Sequence, residues 1–575
     1  AYEMVRSDWS SDVCSFRSRP RKNPDAPAKA AKTKAPMLAG QSSVDQRVKA
    51  ICDILRRGGC TSALQYIPEL TWILFLRILD EREAREAMEA KAVGQRYAFS
   101  MDAPYRWQDW AAPEGAKRTE LAESKSGSVF AFVNDKLLPY LKALKDHPRA
   151  TARQRVISQV MNSVEKVRVD TERNFLDVLD KVHELKQEGM DSAHVFALSQ
   201  VYEGLLLKMG EKNNDGGQFF TPRQVIRAVV KAIDPKPGET IYDPGCGTGG
   251  FLAEAYEHVL GSLGAKATAK QLDQLKQATF FGREKEGLIF PIALANLVLH
   301  GIDQPNLWWG NTLTGRVDHD GLFRDAPGFF DVVLTNPPFG GKEGKEAQTH
   351  FAYKTSSTQV LFLQHVLDAM QDGSRCGIVL DEGVLFRTTE EAFVKTKQKL
   401  LNECDLWCIV SLPGGVFTQA GAGVKTNLLF FTKGKPTRKI WYYDLSDLKV
   451  RKKSPLTLDH FEDFFKLLPE RGESERSWTV DMDARKKKAR DEAAKLTKES
   501  KRKDRLNAVY DLKAVNPNRK AEVDTRTPAE LIQVIEAKGR EIDQALQELR
   551  KLTGSTTYSI KEGPLSKAAE PDTGP

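Results

Sequence analysis

The spacing of apolar residues divides the chain into three parts. From residue 44 to about 190, apolar residues recur at helical spacing, as in Val48, Ile51 and Leu55, which predicts packed amphipathic helices. From about 191 to 445, short β-branched and aromatic runs alternate with helical segments. This alternation predicts an α/β domain with a largely parallel sheet and some antiparallel strands at one end. From 446 the pattern changes again, to a region with a basic segment and, after Pro528, an apolar stripe at helical spacing.

These changes predict the domain organisation. Residues 1–43 are expected to be a disordered or non-native extension, because residues 1–20 show no usable periodicity and residues 21–36 are rich in Lys, Ala and Pro. An N-terminal helical domain is expected over 44–190, the α/β domain over 191–445 and a C-terminal region over 446–575. No apolar core follows the early basic residues, so a signal peptide is not expected, and Met37 is a candidate start. Residues 553–575 are expected to be disordered.

A glycine-rich loop follows the first predicted strand of the α/β domain. The strand ends at Asp243, and a helix begins near Phe251. Glycines let a backbone approach a ligand closely and adopt positive φ. The loop lacks the Lys-Ser/Thr pair of a phosphate-binding P-loop, which disfavours ATP. The ligand candidates here are Asp243, Gly245, Cys246, Gly247, Thr248 and Gly249.

Further candidates lie at neighbouring strand ends. An acid that ends the second strand of a doubly wound fold commonly binds ribose hydroxyls, and Glu284 occupies this position with Glu286 as its competitor. Asn311 follows the third predicted strand. Before the first strand, Thr221 precedes Pro222, which predicts a helix capped by Thr221. The residues leading into that helix are Gln218, Phe219, Phe220 and Thr221.

A rigid turn follows a later buried strand. Its residues are Asn336, Pro337, Pro338 and Phe339. The two prolines fix φ and remove two N–H donors. What remains is a pair of acceptors, the Asn336 side-chain oxygen and the Pro337 carbonyl, beside the flat face of Phe339. This arrangement suits the exocyclic amine of a planar base, although a plain turn after a strand is the alternative.

Charge and cysteine content narrow the class of protein. The net charge of +8 fits a polyanionic partner. Seven cysteines form no CxxC pair, which predicts a reducing, cytoplasmic setting and no structural zinc or other metal site. The most apolar stretch, Leu70 to Leu79, is interrupted by Arg77 and is too short to span a membrane, so no membrane partner is expected.

Two features of the C-terminal region carry separate expectations. Residues 485–505 contain eleven Lys or Arg and four acids, which is compatible either with a solvated helix or with a phosphate contact. A helix is expected to begin at Pro528. Its apolar residues at helical spacing predict a partner-binding surface.

The order of these motifs resembles that of the γ-class N6-adenine DNA methyltransferases. Over about residues 44–555, the chain is similar to the modification (M) subunit of type I restriction-modification systems. The resemblance implies a class I (Rossmann-like) methyltransferase domain between an N-terminal helical domain and a C-terminal helical tail. It implies S-adenosylmethionine as cofactor, bound by the loop and strand-end candidates named above. It assigns the chemistry to Asn336, Pro337, Pro338 and Phe339.

The resemblance also implies partners. A separate specificity (S) subunit selects the duplex DNA sequence, two M subunits join one S subunit, and a restriction subunit can join them. Two alternatives stay open: an RNA or protein amino-methyltransferase, and a non-catalytic scaffold with a methyltransferase fold. The intact Asn336 turn argues against the scaffold.

Overall fold

The fold is described from a computed structural model. It describes residues 49–61, 63–124, 127–184, 221–264, 267–314, 321–417, 423–451, 454–518 and 527–552. The predictions for the extension 1–43, for Gln218, Phe219 and Phe220, and for the tail 553–575 lie outside the described residues.

The N-terminal part is helical, as the apolar spacing predicts. A first helix covers 49–57. The others are Ala63–Ala92, Trp107–Trp110, Ala116–Ala122, Ser128–Phe132, Leu138–Ala143, Ala152–Asn162 and Glu172–His183, with a π-helical turn at Val133–Leu137. The Trp-, Gly- and Pro-rich composition of residues 100–117 predicts a loop, but the structure has the short helix Trp107–Trp110 there, and the helix Ala116–Ala122 begins at its end. Trp107 and Trp110 are both fully buried, so the segment is packed rather than open.

The central sheet contains nine strands within the described residues. They are β1 (Ile241–Asp243), β2 (Phe280–Glu284), β3 (Asn306–Trp309), β4 (Phe330–Thr335), β5 (Met370–Asp381), β6 (Cys404–Ser411), β7 (Thr426–Lys433), β8 (Lys439–Asp444) and β9 (Ser477–Asp481). Their order is β3-β2-β1-β4-β5-β7-β6-β8-β9. The first five are mutually parallel, whereas β7 and β9 run antiparallel to their neighbours. The predicted mixed sheet is therefore confirmed.

Strand β9 was not expected from the sequence. It pairs with β8 from Lys439↔Asp481 to Tyr443↔Ser477. The sheet thus continues past residue 445, where the sequence predicts that the α/β domain ends. The predicted C-terminal region therefore contributes one strand to the α/β sheet.

Helices cover both faces of the sheet. The helices after residue 220 are Arg223–Ile233, Gly250–Leu263, Ala269–Gln277, Phe290–Leu299, Lys345–Gln348, Thr358–Asp368, Glu382–Phe386, Glu391–Glu403, Glu462–Leu467, Met482–Ala494, Glu499–Asn507 and Pro528–Leu552. The last of them, Pro528–Leu552, is exposed and does not take part in this covering. Alternate strand residues enter different cores: Ile241 and Val332 lie in one, Tyr242 and Val333 in the other. This alternation follows from the period of two along a strand. None of the described helices combines the length and apolar character needed to cross a membrane.

An ion-pair network joins the helical part to the α/β part. Arg82 and Arg153 both bind Asp303 Oδ1, at 2.7 and 2.8 Å. The same two arginines bind Glu86 at 2.9 and 2.8 Å. Tyr97 donates a further hydrogen bond to Glu86 at 2.5 Å. Because Asp303 follows the helix Phe290–Leu299, these contacts fix one domain against the other.

Glu86→Gln is expected to lower the free energy of unfolding by about 1.5–3 kcal/mol at neutral pH. Burial alone raises the pKa of Glu86, but hydrogen bonds from Arg153 and Tyr97 outweigh it and lower this pKa from 4.5 to about 2. A carboxylate with a depressed folded pKa stabilises the protein above its unfolded pKa and loses that contribution as the pH falls. In urea unfolding at several pH values, the gap between wild type and variant should therefore shrink below about pH 4.5. Glu89→Gln, at an exposed position on the same helix, is the control, and a pH-independent gap would contradict the assignment.

Candidate active site

Three predicted site residues end adjacent parallel strands. Asp243 ends β1, Glu284 ends β2, and Asn336 follows β4. Because β2, β1 and β4 are neighbours in that order, their carboxyl ends meet at one edge. The structure therefore brings the glycine loop, the acid and the Asn-Pro-Pro-Phe turn to the edge where open α/β sheets bind ligands.

Backbone hydrogen bonds tie the glycine loop to β2. Cys246 N donates to Arg283 O at 2.9 Å, and Gly247 N donates to Glu284 Oε2 at 2.9 Å. Gly249 has a φ of +81°, in the left-handed region, and a Cβ there would lie 3.1 Å from the Leu297 side chain. A side chain at Gly249 would therefore be strained and crowded. The loop keeps its close-fitting shape because this position is glycine.

The two acids of the site are buried. Asp243 and Glu284 are 1% and 7% exposed. Burial is the main reason that the pKa of each carboxyl is raised to about 7. The backbone N–H of Gly245 donates to Asp243 at 3.1 Å, and that of Glu286 donates to Glu284 at 2.8 Å. These donors oppose the shift, because they favour the ionised form.

The Glu284 carboxylate is therefore already oriented by two backbone donors, one on each oxygen. Each carboxylate oxygen can accept a second hydrogen bond, so Glu284 can still receive two hydroxyl groups. Its competitor Glu286 is exposed. The geometry favours Glu284 as the ribose ligand, which remains a prediction.

Cys246 and Thr248 have structural positions in the loop. Burial raises the pKa of the Cys246 thiol well above its usual value, which disfavours the thiolate. The carbonyl of Thr248 accepts a hydrogen bond from Asn296 Nδ2 at 2.8 Å. The loop is thus fixed to the helix Phe290–Leu299 as well as to β2.

Asn336 is held by one side of its amide. Its Nδ2 donates to Thr221 Oγ1 at 2.9 Å. Its Oδ1 is buried and has no hydrogen-bond partner in the structure. An unpaired buried acceptor is energetically costly, so this oxygen is oriented and available for a donor from a ligand.

The structure corrects the predicted role of Thr221 as a helix cap. The helix begins at Arg223, Pro222 is its N-cap residue, and no side chain caps it. The Thr221 hydroxyl instead accepts the hydrogen bond from Asn336, across 115 residues of sequence. Its predicted contact with a cofactor stays a prediction.

The Pro337 carbonyl is held by a residue that the sequence did not single out. Gln359 Nε2 donates to Pro337 O at 3.2 Å, and Gln359 Oε1 accepts from Asp381 N at 3.0 Å. Gln359 is 1% exposed. A carbonyl has two acceptor positions, so one remains at Pro337. The available signal was a polar residue within the largely apolar helix Thr358–Asp368.

Phe339 closes the turn with a half-buried ring. It packs edge-to-face against Phe417, with ring centroids 5.2 Å apart and an interplanar angle of 79°. Phe417 is fully buried. The Phe339 ring is therefore fixed on one side, which suits a stacking platform.

Asn311 follows β3, the strand that lies next to β2 on the side away from the Asn336 turn. Its Nδ2 donates to Glu343 Oε2 at 3.2 Å, and its Oδ1 accepts from Leu313 N at 3.0 Å. Its amide is thus engaged by the protein, and its predicted contact with a cofactor remains a prediction. Within the described ranges, no cluster of three or more His, Cys, Asp or Glu side chains is arranged to hold a metal ion.

The sheet order, the loop after β1 and the turn after β4 define a methyltransferase-like α/β protein. The chain belongs to the N-6 DNA methylase family, whose model matches residues 193–505. A second family model, the HsdM N-terminal domain, matches residues 44–184. The family predicted from the order of motifs is therefore confirmed.

Similar proteins fall in one group. The type I restriction enzyme EcoEI methylase subunit of Escherichia coli is 35% identical over 414 residues, which are 70% of this chain and 77% of the relative. A modification subunit from Vibrio vulnificus YJ016 has a TM-score of 0.69 and 30% identity, with 85% of this chain and 98% of that one covered. A chain from a study of complex assembly and conformational transition in the type I R-M system has a TM-score of 0.63 and 35% identity, covering 89% of this chain and 98% of that one.

Proposed function

We propose that this chain is the modification subunit of a type I restriction-modification system and methylates adenine N6 in duplex DNA. The observation that carries the proposal is the unpaired, buried Asn336 Oδ1 beside the Pro337 carbonyl. Both acceptors lie on a turn with no N–H donor at Pro337 or Pro338. This pair of acceptors matches the two hydrogens of an exocyclic amine.

The cofactor in this proposal is S-adenosylmethionine, which supplies an electrophilic methyl group when bound. The glycine loop fits such a ligand because its backbone is open to close approach. Glu284 would accept the ribose hydroxyls through its remaining acceptor positions. Asp243 and Gly245 to Gly249 would line the methionine portion, and Thr221 and Asn311 would complete the site with Gln218, Phe219 and Phe220.

The target adenine must leave the duplex, because its N6 is paired inside the stack. Phe339 would stack on the extruded base. Asn336 Oδ1 and Pro337 O would then accept one N6 hydrogen each, which localises the nitrogen lone pair. Fixed near-attack geometry of this kind supplies much of a rate enhancement.

Thr221 and Gln359 act as positioning residues in this proposal. Thr221 fixes the Asn336 amide so that Oδ1, rather than Nδ2, faces the base. Gln359 fixes the Pro337 carbonyl and links it to Asp381, the last residue of β5. Both acceptors are thereby oriented before the substrate arrives.

Gln359→Met is expected to reduce kcat by about 10- to 100-fold, because it frees the Pro337 carbonyl to shift. The dissociation constant of S-adenosylmethionine should be unchanged, since the hydrogen bonds of the Gln359 amide go to Pro337 and Asp381 rather than to the glycine loop. Single-turnover methylation and cofactor titration measure the two quantities. Gln364→Met is the matched control, because Gln364 is a buried amide of the same helix that binds Tyr353 instead. An unaltered kcat in Gln359→Met would remove this residue from the mechanism.

The proposal includes partners, on the strength of the similarity to type I methylase subunits. A specificity subunit would choose the DNA sequence, a second copy of this chain would bind the same specificity subunit, and a restriction subunit can join the assembly. A cytoplasmic location and the domain divisions at 44 and 191 belong to the same proposal, whereas the end of the α/β domain expected at 445 is moved beyond Asp481 by strand β9.

Mapping of modified bases tests the proposed function. The chain is co-expressed with a specificity protein sought in the neighbouring reading frames, in a host lacking other methylases, and the host DNA is sequenced with detection of modified bases. N6-methyladenine at one defined sequence is expected. Cytosine methylation, or no methylation although the two proteins co-purify, would contradict the proposal.

A further inference from the structure

A strongly basic helical hairpin is formed by residues that are not part of the site described above. The helices Met482–Ala494 and Glu499–Asn507 are consecutive and pack against each other; we call them the basic hairpin. Residues 485–505 hold eleven basic and four acidic side chains. The exposed basic residues are Lys487, Lys488, Arg490, Lys495, Lys498, Lys501, Arg502, Lys503 and Arg505.

The first helix of the hairpin is two-sided. Met482, Ala489 and Ala493 are buried, and their spacing of seven and four places them on one side of the helix. At 100° per residue, Lys487, Lys488 and Lys495 project from the opposite side. The second helix has no buried residue. The cations therefore form an outward surface, since only the small apolar side is needed for packing.

Few of these charges are neutralised inside the protein. Arg505 pairs with Glu492, and Arg502 donates to the carbonyl of Leu496. Among the residues that the structure describes, no carboxylate forms an ion pair with Lys487, Lys488, Lys495 or Lys498. Concentrated, unneutralised like charge is unfavourable by itself, so this surface fits a polyanion.

The base of the hairpin is fixed to the protein near the active edge of the sheet. Arg485 donates to the carbonyls of Ala508 and Asp511, at 3.0 and 2.7 Å. The next residue, Leu512, donates its N–H to Leu385 O at 3.1 Å. Leu385 lies in the helix Glu382–Phe386, which begins directly after β5, at the edge that carries the Asn336 turn. The hairpin is thus anchored beside that edge.

The second helix also approaches this edge. The pKa of Glu391 is lowered, first by Lys395 and then by Lys503 of the hairpin. Glu391 begins the helix Glu391–Glu403. This helix follows soon after Glu382–Phe386, the helix to which Leu512 is hydrogen-bonded. The hydrogen bond from Leu512 to Leu385 thus places the hairpin on the same side of the molecule as the turn, and the charge effect of Lys503 on Glu391 agrees with that placement.

We propose that the basic hairpin binds the phosphate backbone of duplex DNA that flanks the target base. The proposal rests on the proposed function, because it takes DNA as the substrate. A helix of 13 residues is about 20 Å long, and duplex DNA presents one phosphate charge per ~1.7 Å of axis. Several lysines can therefore bind phosphates at once. Such binding would position DNA without reading its sequence.

The test replaces Lys487, Lys488, Lys495 and Lys498 with Gln in the full-length chain. Binding to a fluorescent duplex oligonucleotide is measured over a series of salt concentrations. The Gln variant is expected to bind about 10-fold more weakly near ~0.1 M salt. The slope of log K against log salt should fall by about 0.9 for each phosphate that a lysine no longer neutralises. The matched control replaces the same four lysines with Arg, which retains the charge and should retain the slope.

The failure of this proposal can be distinguished from failure of the proposed function. All four side chains are exposed, so thermal stability and S-adenosylmethionine affinity should match wild type, as should kcat at saturating DNA. An unchanged salt slope and affinity in the Gln variant would overturn the hairpin proposal, whatever the methylation result. Normal DNA binding with impaired assembly on the specificity protein would overturn it too, and would make the hairpin a protein-docking surface.

Discussion

Asn336→Ala is expected to reduce methylation by at least about 10²–10³-fold while leaving S-adenosylmethionine binding largely intact. The substitution removes Oδ1, the buried acceptor that has no partner in the structure. Loss of one preoriented hydrogen-bonding group in an active site typically costs this much in kcat. The glycine loop and Glu284 are fixed by other contacts, so the cofactor site should survive. Single-turnover transfer and calorimetric titration of the cofactor measure the two effects.

The control for this substitution is Asn306→Ala. Asn306 is the first residue of β3 and is 2% exposed. Its amide donates to the carbonyls of Gln277 and Phe280. Its loss should lower stability without lowering kcat of the folded protein.

Thr221→Val should give an intermediate decrease in kcat, because Oδ1 remains but the amide is no longer held. Wild-type rates in Asn336→Ala would exclude the assigned role.

Glu284→Gln is expected to weaken S-adenosylmethionine binding by about 10- to 100-fold at pH 8 and by less at pH 6. The ionised carboxylate is the better acceptor for hydroxyl donors. Burial raises the pKa of Glu284 to about 7, so the group is mostly protonated at pH 6 and ionised at pH 8. A loss of this size is typical of hydrogen bonds to a charged group. The wild-type affinity should therefore rise with pH through 7, and the gap to the variant should widen.

Cofactor titrations of both proteins across this pH range provide the test. The matched control is Glu286→Gln, since Glu286 is the exposed neighbour that competes for the same role in the sequence. It should leave the affinity at pH 8 near wild type, and because the Glu286 charge helps to raise the pKa of Glu284, the pH dependence should move only toward lower pH. If Glu286→Gln shows the larger loss, or if the gap between wild type and Glu284→Gln is the same at both pH values, the ribose contact belongs elsewhere.

Local sequence determined much of the fold. The β-branched and aromatic runs predict the strands around Ile241, Phe280 and Val332, and each is present. These strands are buried on both faces, and those around Ile241 and Val332 are followed closely by proline or glycine, which makes them recognisable from short windows. Strand β9 was missed because Ser477–Asp481 contains only two apolar residues. Its place in the sheet comes from pairing with β8, and such pairing has no local signature.

The candidate site also contains some residues that the local sequence predicts and others that only the structure shows. Asp243, Glu284 and Asn336 were predicted to lie near one another because the carboxyl ends of parallel strands share an edge. Thr221 and Gln359 reach the turn from 115 and 22 residues away. Their hydrogen bonds depend on how separate helices pack on the sheet, which periodicity does not define. The hydrogen bond between Asn311 and Glu343 likewise joins residues 32 positions apart, so it too has no local signature.

The most direct measurement is methyl transfer by the purified chain assembled with its specificity protein. The complex is given S-adenosylmethionine with an isotopically labelled methyl group and duplex DNA that carries the mapped sequence, and the nucleosides are analysed by mass spectrometry. The label should appear in N6-methyladenine, and the Asn336→Ala complex should bind the cofactor but transfer almost none. Label in another base, or equal transfer by the variant, would contradict the account.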